Sequence, residues 1–121
     1  MSNKLSPRVF EIDIKPVPQG RGRVSRGRVY YGKRDRAFRL EMVSKLRQYR
    51  GKAQRKPCAI EIEVAGANPR SDLDNHAKAI MDALVEAGIL ADDNLGIVER
   101  IQIEAVEGDP GIKITLLPLV Q

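Results

Sequence analysis

Hydrophobic and polar positions alternate strictly over residues 9–15, with Phe10, Ile12 and Ile14 on one face and Glu11, Asp13 and Lys15 on the other. A period of two is that of a half-buried β-strand. Pro16 and Pro18 end it, because proline donates no hydrogen bond to a ladder. The alternation returns over 59–64, where Ile60, Ile62 and Val64 point inward and Glu61 and Glu63 outward. Between these strands the period lengthens. Over 35–50, Phe38, Met42, Leu46 and Tyr49 keep helical spacing, with Asp35 placed to cap the helix and Gly51 to stop it. A second helix spans about 73–87, with Leu73, Ala77, Ile80, Met81 and Leu84 on its apolar face and Gly88 as its stop. Strands near 97–106 and 111–119 are joined by EGDPG, a turn signal that predicts an antiparallel final pair. Pro118 predicts that the last strand lies at an edge or frays there.

The predicted order is β-α-β-α-β-β, with a basic segment between the first strand and the first helix. It implies an α/β (α+β) single domain over 1–121, with a mixed sheet of about four strands and two main helices packed on it. The basic segment, GRGRVSRGRVYYGKR at 20–34, carries SRG at 25–27 as a turn, so a basic arm or hairpin is expected over about 19–34.

Charge sharpens this picture more than composition does. The net +5 of the 121 residues hides a balance of +13 over 15–56 and −8 over 57–121. A basic region of that density suits a polyanion, and phosphate backbones are the commonest large one. No apolar run approaches the roughly 18 residues of a membrane span, so no membrane partner is expected. The N-terminal residues lack the apolar core of a secretion signal. Cys58, the single cysteine, has no partner for a disulfide or a zinc site and falls at a strand start, where a buried inert thiol is expected. A reducing cytoplasm fits these features.

Candidate chemistry begins at NPRSDLDNHAK, residues 68–78. Ser71 at an N-cap and Asp74 three positions on resemble a capping box, and acids suit the first turn of a helix. That account leaves Asp72 as a second acid crowded into one turn. Asp92 and Asp93 form another acidic pair after the helix, readable as a polar turn or as further ligands. Asp74, Lys78 and Asp82 follow at i, i+4 and i+8, so Lys78 is either a surface ion pair or a contact to a phosphate. Phosphodiester hydrolysis adds charge to an anion and needs a better nucleophile than water. A hard divalent ion held by carboxylates meets both needs, and Mg²⁺ requires only two or three of them. His76 is the single histidine, at the helix start, where a surface or capping-region residue is the ordinary reading and a catalytic or metal role the alternative. Tyr30 and Tyr31 would either stack on bases or support the arm.

DLDNHAKAIMDALVEAGILADD, residues 72–93, resembles the RusA family of Holliday-junction resolvases. Asp72, Asp74, Asn75, Lys78, Asp82, Ala87, Gly88, Asp92 and Asp93 match that signature in order and spacing. Residues 15–38 also resemble the proline-then-arginine region of the phage and prophage branch. The resemblance implies a homodimeric, Mg²⁺-dependent endodeoxyribonuclease that resolves four-way DNA junctions by paired nicks, with Mn²⁺ as a substitute ion. It carries metal binding to Asp72, Asp74 and Asp93, with Asp92 as a further candidate, and catalytic importance to Lys78. Asn75 would act as a cap or behind the ligands. Arg21, Arg23, Arg26, Arg28, Lys33, Arg34 and Arg70 are the expected DNA contacts. Two departures stand out: only Arg70 precedes Ser71 where relatives of the founding branch carry a basic run, and His76 takes a commonly apolar position. The rival readings are a non-catalytic nucleic-acid-binding module and a nuclease for flaps or RNA.

Overall fold

A computed structural model describes residues 6–20, 23–30 and 32–120. Arg21 and Tyr31 lie outside the described residues, as do the side chains of Arg23 and Tyr30. The elements are β1 (Arg8–Ile12), β2 (Arg23–Ser25), β3 (Arg28–Tyr30), α1 (Lys33–Leu46), β4 (Cys58–Ala65), α2 (Leu73–Glu86), β5 (Val98–Val106) and β6 (Gly111–Pro118). Four strands form one mixed sheet in the order β1-β6-β4-β5, and the fold is the expected α+β arrangement. β4 runs parallel to β5 and antiparallel to β6, which in turn runs antiparallel to β1. A parallel pair needs a crossover, and α2 supplies it.

The core lies between the helices and one face of the sheet. Ile60, Ile62 and Val64 of β4 meet Ile112, Ile114 and Leu116 of β6, Phe10 and Ile12 of β1, Met42 and Leu46 of α1, and Ile80 and Leu84 of α2. All are at most 4% exposed. Each such side chain contributes about 1.5–3 kcal/mol when fully buried. Cys58 is buried, and burial first, then the charge of Glu99, pushes its thiol upward, so it is the inert group expected.

The basic segment forms a separate two-stranded sheet, β2 with β3. Arg26 and Gly27 both have positive φ, 51° and 77°, the signature of a tight hairpin turn whose twist matches its strands.

Several expectations are corrected. β5 and β6 are not neighbours, because β4 lies between them. The EGDPG turn therefore arches over the end of β4 instead of closing a hairpin. Gly66 makes room for it, since a Cβ there would stand 2.8 Å from the Cα of Pro110. β6 is internal, and Pro118 is tolerated as its last residue. α1 begins at Lys33 with Gly32 at its N-cap, and ends at Leu46, well before Gly51. Asp35 instead sits in the first turn and accepts a hydrogen bond from the Gly20 N–H at 3.4 Å. Tyr49 lies beyond the helix, where its hydroxyl donates to the Glu11 carbonyl and accepts from the Glu11 N–H, both at 3.0 Å. Leu73 is 39% exposed and so is no part of the core.

Candidate active site

The site is built where β4 hands the chain to α2. After Gly66 the chain makes a tight turn around Asn68, whose carbonyl accepts from the Ser71 N–H at 2.9 Å and from the Ser71 hydroxyl. The Asn68 side-chain oxygen accepts from the Arg70 N–H, also at 2.9 Å. Ser71 Oγ lies 2.7 Å from His76 Nε2. The hydroxyl has one proton and directs it to Asn68, so the imidazole N–H is the donor to Ser71. His76 is only 3% exposed. Burial first, then the positive charge of Arg34, hold its pKa below the ordinary imidazole value, which keeps the ring neutral.

This arrangement changes the role of every residue in SDLDN. Ser71 is occupied by Asn68 and His76, so the capping box with Asp74 does not form. Asp72 takes the N-cap position in extended conformation, φ −90° and ψ 137°, yet its side chain makes no capping bond. Neither Asp72 nor Asp74 has a side-chain hydrogen bond or ion pair among the described residues. Two unneutralised carboxylates thus stand at the start of one helix.

A cleft of about 570 Å³ opens beside Asp72. One wall is Gln19 and Gly20; the other is Arg70, Ser71, Asp72 and Asn75. The Gln19 N–H donates to the Asn75 carbonyl at 3.1 Å, which docks the segment after β1 on the first turn of α2. Gln19 Oε1 is buried with no hydrogen-bond partner among the described residues. No sequence signal singled out Gln19, because its placement depends on how two distant segments meet. Arg34 stands near enough to bias His76, and Arg26, Arg28, Lys33 and Arg70 are exposed. Arg70 in the cleft wall and Arg34 near His76 therefore set positive charge beside the acidic spot.

Lys78 lies one turn further along α2, with its Nζ 3.7 Å from Asp82 and its side chain 62% exposed. Asp82 also takes Arg39 at 3.2 Å, and Arg39 reaches Glu86 at 3.0 Å, which binds α1 to α2. Asp82 is thereby committed to a structural task.

Asp92 and Asp93 are at the other end of the helix. Their loop is docked at the start of β4, where Cys58 N–H donates to the Ile97 carbonyl at 2.7 Å and Ala91 N–H to the Gln54 carbonyl at 3.0 Å. The stretch of α2 from Asn75 to Glu86 lies between the two acidic pairs, a length of roughly 18 Å at 1.5 Å per residue. Asp92 accepts from the Asp93 N–H at 2.7 Å and from the Asn94 amide at 3.2 Å, so it holds the loop. The Asp93 carboxylate has no partner among the described residues. One chain does not bring Asp93 to Asp72 and Asp74, and among the described residues no three metal-ligating side chains gather at one point.

A model of an endodeoxyribonuclease family matches residues 13–117, from the end of β1 into β6. That family is RusA, and the chain belongs to it. No individual curated protein matches the chain. No helix among the described residues is long and apolar enough to cross a membrane.

Proposed function

We propose that the protein is a homodimeric, Mg²⁺-dependent endodeoxyribonuclease that resolves four-way DNA junctions by paired phosphodiester hydrolysis. One observation carries the reading: among the described residues the carboxylates of Asp72, Asp74 and Asp93 have no protein partner, while Asp82 and Asp92 beside them are engaged. Free carboxylates are hard oxygen donors and fit Mg²⁺, with Mn²⁺ as a substitute. When bound, the ion would polarise the scissile phosphate and acidify a water.

Asp72 and Asp74 would hold it from one chain. Because α2 separates Asp93 from them, Asp93 would reach the site from the second subunit, and a two-fold dimer then has two complete sites. That suits two cuts in opposed strands of a symmetric junction. Lys78 holds Asp82 by a long, exposed ion pair worth only a few tenths of a kcal/mol. It exchanges that partner readily for a phosphate oxygen and stabilises charge that develops there. Asn75, anchored through its carbonyl to Gln19, supports the ligand-bearing turn from behind. Arg26, Arg28, Lys33, Arg34 and Arg70, with Arg21 and Arg23 of the same segment, would hold the backbone in register.

The test is incubation of the purified protein with labelled four-way junction, linear duplex, flap and single-stranded RNA, with Mg²⁺ and with EDTA. Paired symmetric nicks in the junction, absent in EDTA, are expected. Cleavage of another substrate in its place would overturn the junction assignment, and no cleavage with any divalent ion would overturn the nuclease.

A further inference from the structure

A second hollow, of about 330 Å³, shares Pro18 and Gln19 with the cleft beside Asp72. That size stands at the small end of the roughly 300–1,000 Å³ of small-molecule sites, right for one flat ring system. Val17, Pro18, Phe38 and Leu40 give it apolar walls. Leu40 is 73% exposed, a large apolar side chain left to water. One stripe of α2 lines both hollows: Asn75 faces the cleft, and Ala79 and Glu86, four and eleven residues on, face the second.

Hydrogen bonds and ion pairs hold this hollow open. Residues 17–20 are pinned twice, by the Gln19 N–H on the Asn75 carbonyl of α2 at 3.1 Å and by the Gly20 N–H on Asp35 of α1 at 3.4 Å. Arg39 of α1, which also lines the hollow, holds Asp82 and Glu86 of α2. Gln19 stands between the two pins, and its Oε1 is buried with no donor among the described residues. A buried acceptor left unmet is costly, and the same amide carries two donors.

We propose that this hollow receives an unpaired nucleobase of the strand being cut, with the Gln19 amide meeting the edge of the base. The inference rests on the nuclease of the proposed function, whose scissile phosphate would lie in the adjoining cleft. A nucleobase is flat, apolar on its two faces and polar along its edge, where an N–H stands beside an acceptor. Apolar walls around one amide match that pattern. A base that donates to Oε1 and accepts from Nε2 satisfies the whole side chain. Bases at a branch point lack a continuous stack on one side, which lowers the cost of taking one out. A base held at Gln19 fixes the neighbouring phosphate against Asp72, so the rate of cutting depends on the nucleotide beside the cut.

The experiment places 2-aminopurine, which brightens when it leaves the stack, at each nucleotide around the crossover of a four-way junction in turn. Full-length protein is added to saturation in EDTA, where no cutting intervenes. One position should brighten several-fold with wild type, and Leu40→Asp should abolish that gain. Since Leu40 is exposed, the melting temperature of that variant should move by less than ~2 °C. An abasic nucleotide at the same position should slow single-turnover cleavage with Mg²⁺ about ten-fold, the loss of one stacked base. Gln19→Leu should level the cleavage rates of the four natural bases there, which wild type should separate about ten-fold. A base preference that Gln19→Leu leaves unchanged overturns Gln19 as the reader. No brightening at any position, brightening that survives Leu40→Asp, or a signal that excess free deoxynucleoside monophosphate competes away overturns the base pocket and leaves the nuclease reading to its own cleavage assay. Brightening without cleavage under any divalent ion would instead overturn the nuclease.

Discussion

Asp72→Asn separates two roles that one residue at a helix start can have. An acid that caps a helix holds it through a side-chain bond, and removing such a cap costs about 1 kcal/mol. Asp72 makes no such bond, and its carboxylate is exposed at the cleft. A surface change of that kind stays within about 0.5 kcal/mol. For a domain of this size 1 kcal/mol corresponds to roughly 4 °C, so the melting temperature should move by less than ~2 °C. Cleavage should behave quite differently. Loss of one of three ligands to the ion that polarises the phosphate should lower the single-turnover rate on a labelled junction at least ~100-fold, about 2.7 kcal/mol in the barrier. Binding measured by gel shift in EDTA should hold or tighten, because Asn removes a negative charge that faces phosphate. A rate within a few-fold of wild type, or a fall in melting temperature of several degrees, would refute the argument and return Asp72 to the role of a cap.

Three further outcomes follow from the same geometry. Mixing Asp72→Asn and Asp93→Asn subunits, each inactive alone, should restore single-strand nicking in the heterodimer, because one of its two sites then holds every native ligand; no recovery after subunit exchange would place Asp93 outside the site. Gly66→Ala should lower the urea-unfolding free energy by about 2–3 kcal/mol, since Gly66 has φ of 72° and a Cβ would meet the Pro110 backbone at 2.8 Å; a cost under ~0.5 kcal/mol would mean the turn over β4 shifts freely. His76, whose pKa is lowered by burial and by Arg34, binds its proton less readily folded than unfolded, so its contribution is intact above the ordinary value of 6.5 and lost as pH falls below it. Denaturation between roughly pH 5 and 8 should show that loss, and His76→Gln should flatten it; an unchanged slope would sink the assignment.

What sequence revealed and what it hid divide along a physical line. The strands at Phe10–Ile12, Ile60–Val64 and Ile112–Leu116 were legible because alternation reports which face of a strand is buried. It does not report which strand lies beside it. EGDPG was rightly read as a turn, but a turn names its own residues and not the strand it passes over, so the insertion of β6 between β1 and β4 stayed hidden. Ile101 and Ile103 look like core by the same alternation, yet Ile101 is 47% exposed because β5 is an edge. At the site, the spacing of Ser71 and Asp74 satisfied a capping box, and His76 took Ser71 for its own buried N–H. No local rule weighs those two demands, because the burial of His76 is set by the folded chain and not by its neighbours in sequence.

The signature itself was legible for a different reason. Asp72, Asp74, Lys78 and Asp93 are close in sequence, and a resemblance depends on order alone. Their closeness in sequence conceals a distance in space that helix geometry imposes. The residues between Asp74 and Asp92 include nearly all of α2, a rigid rod antiparallel to β4, so the acids at its two ends cannot meet without breaking it. A single chain of this fold can therefore present the three proposed ligands but not assemble them. If the three carboxylates act on one ion, chemistry must wait for a second copy. Dilution below the dimer dissociation constant then abolishes cutting while each chain remains folded, and no lone subunit can nick a strand without the means to cut its counterpart.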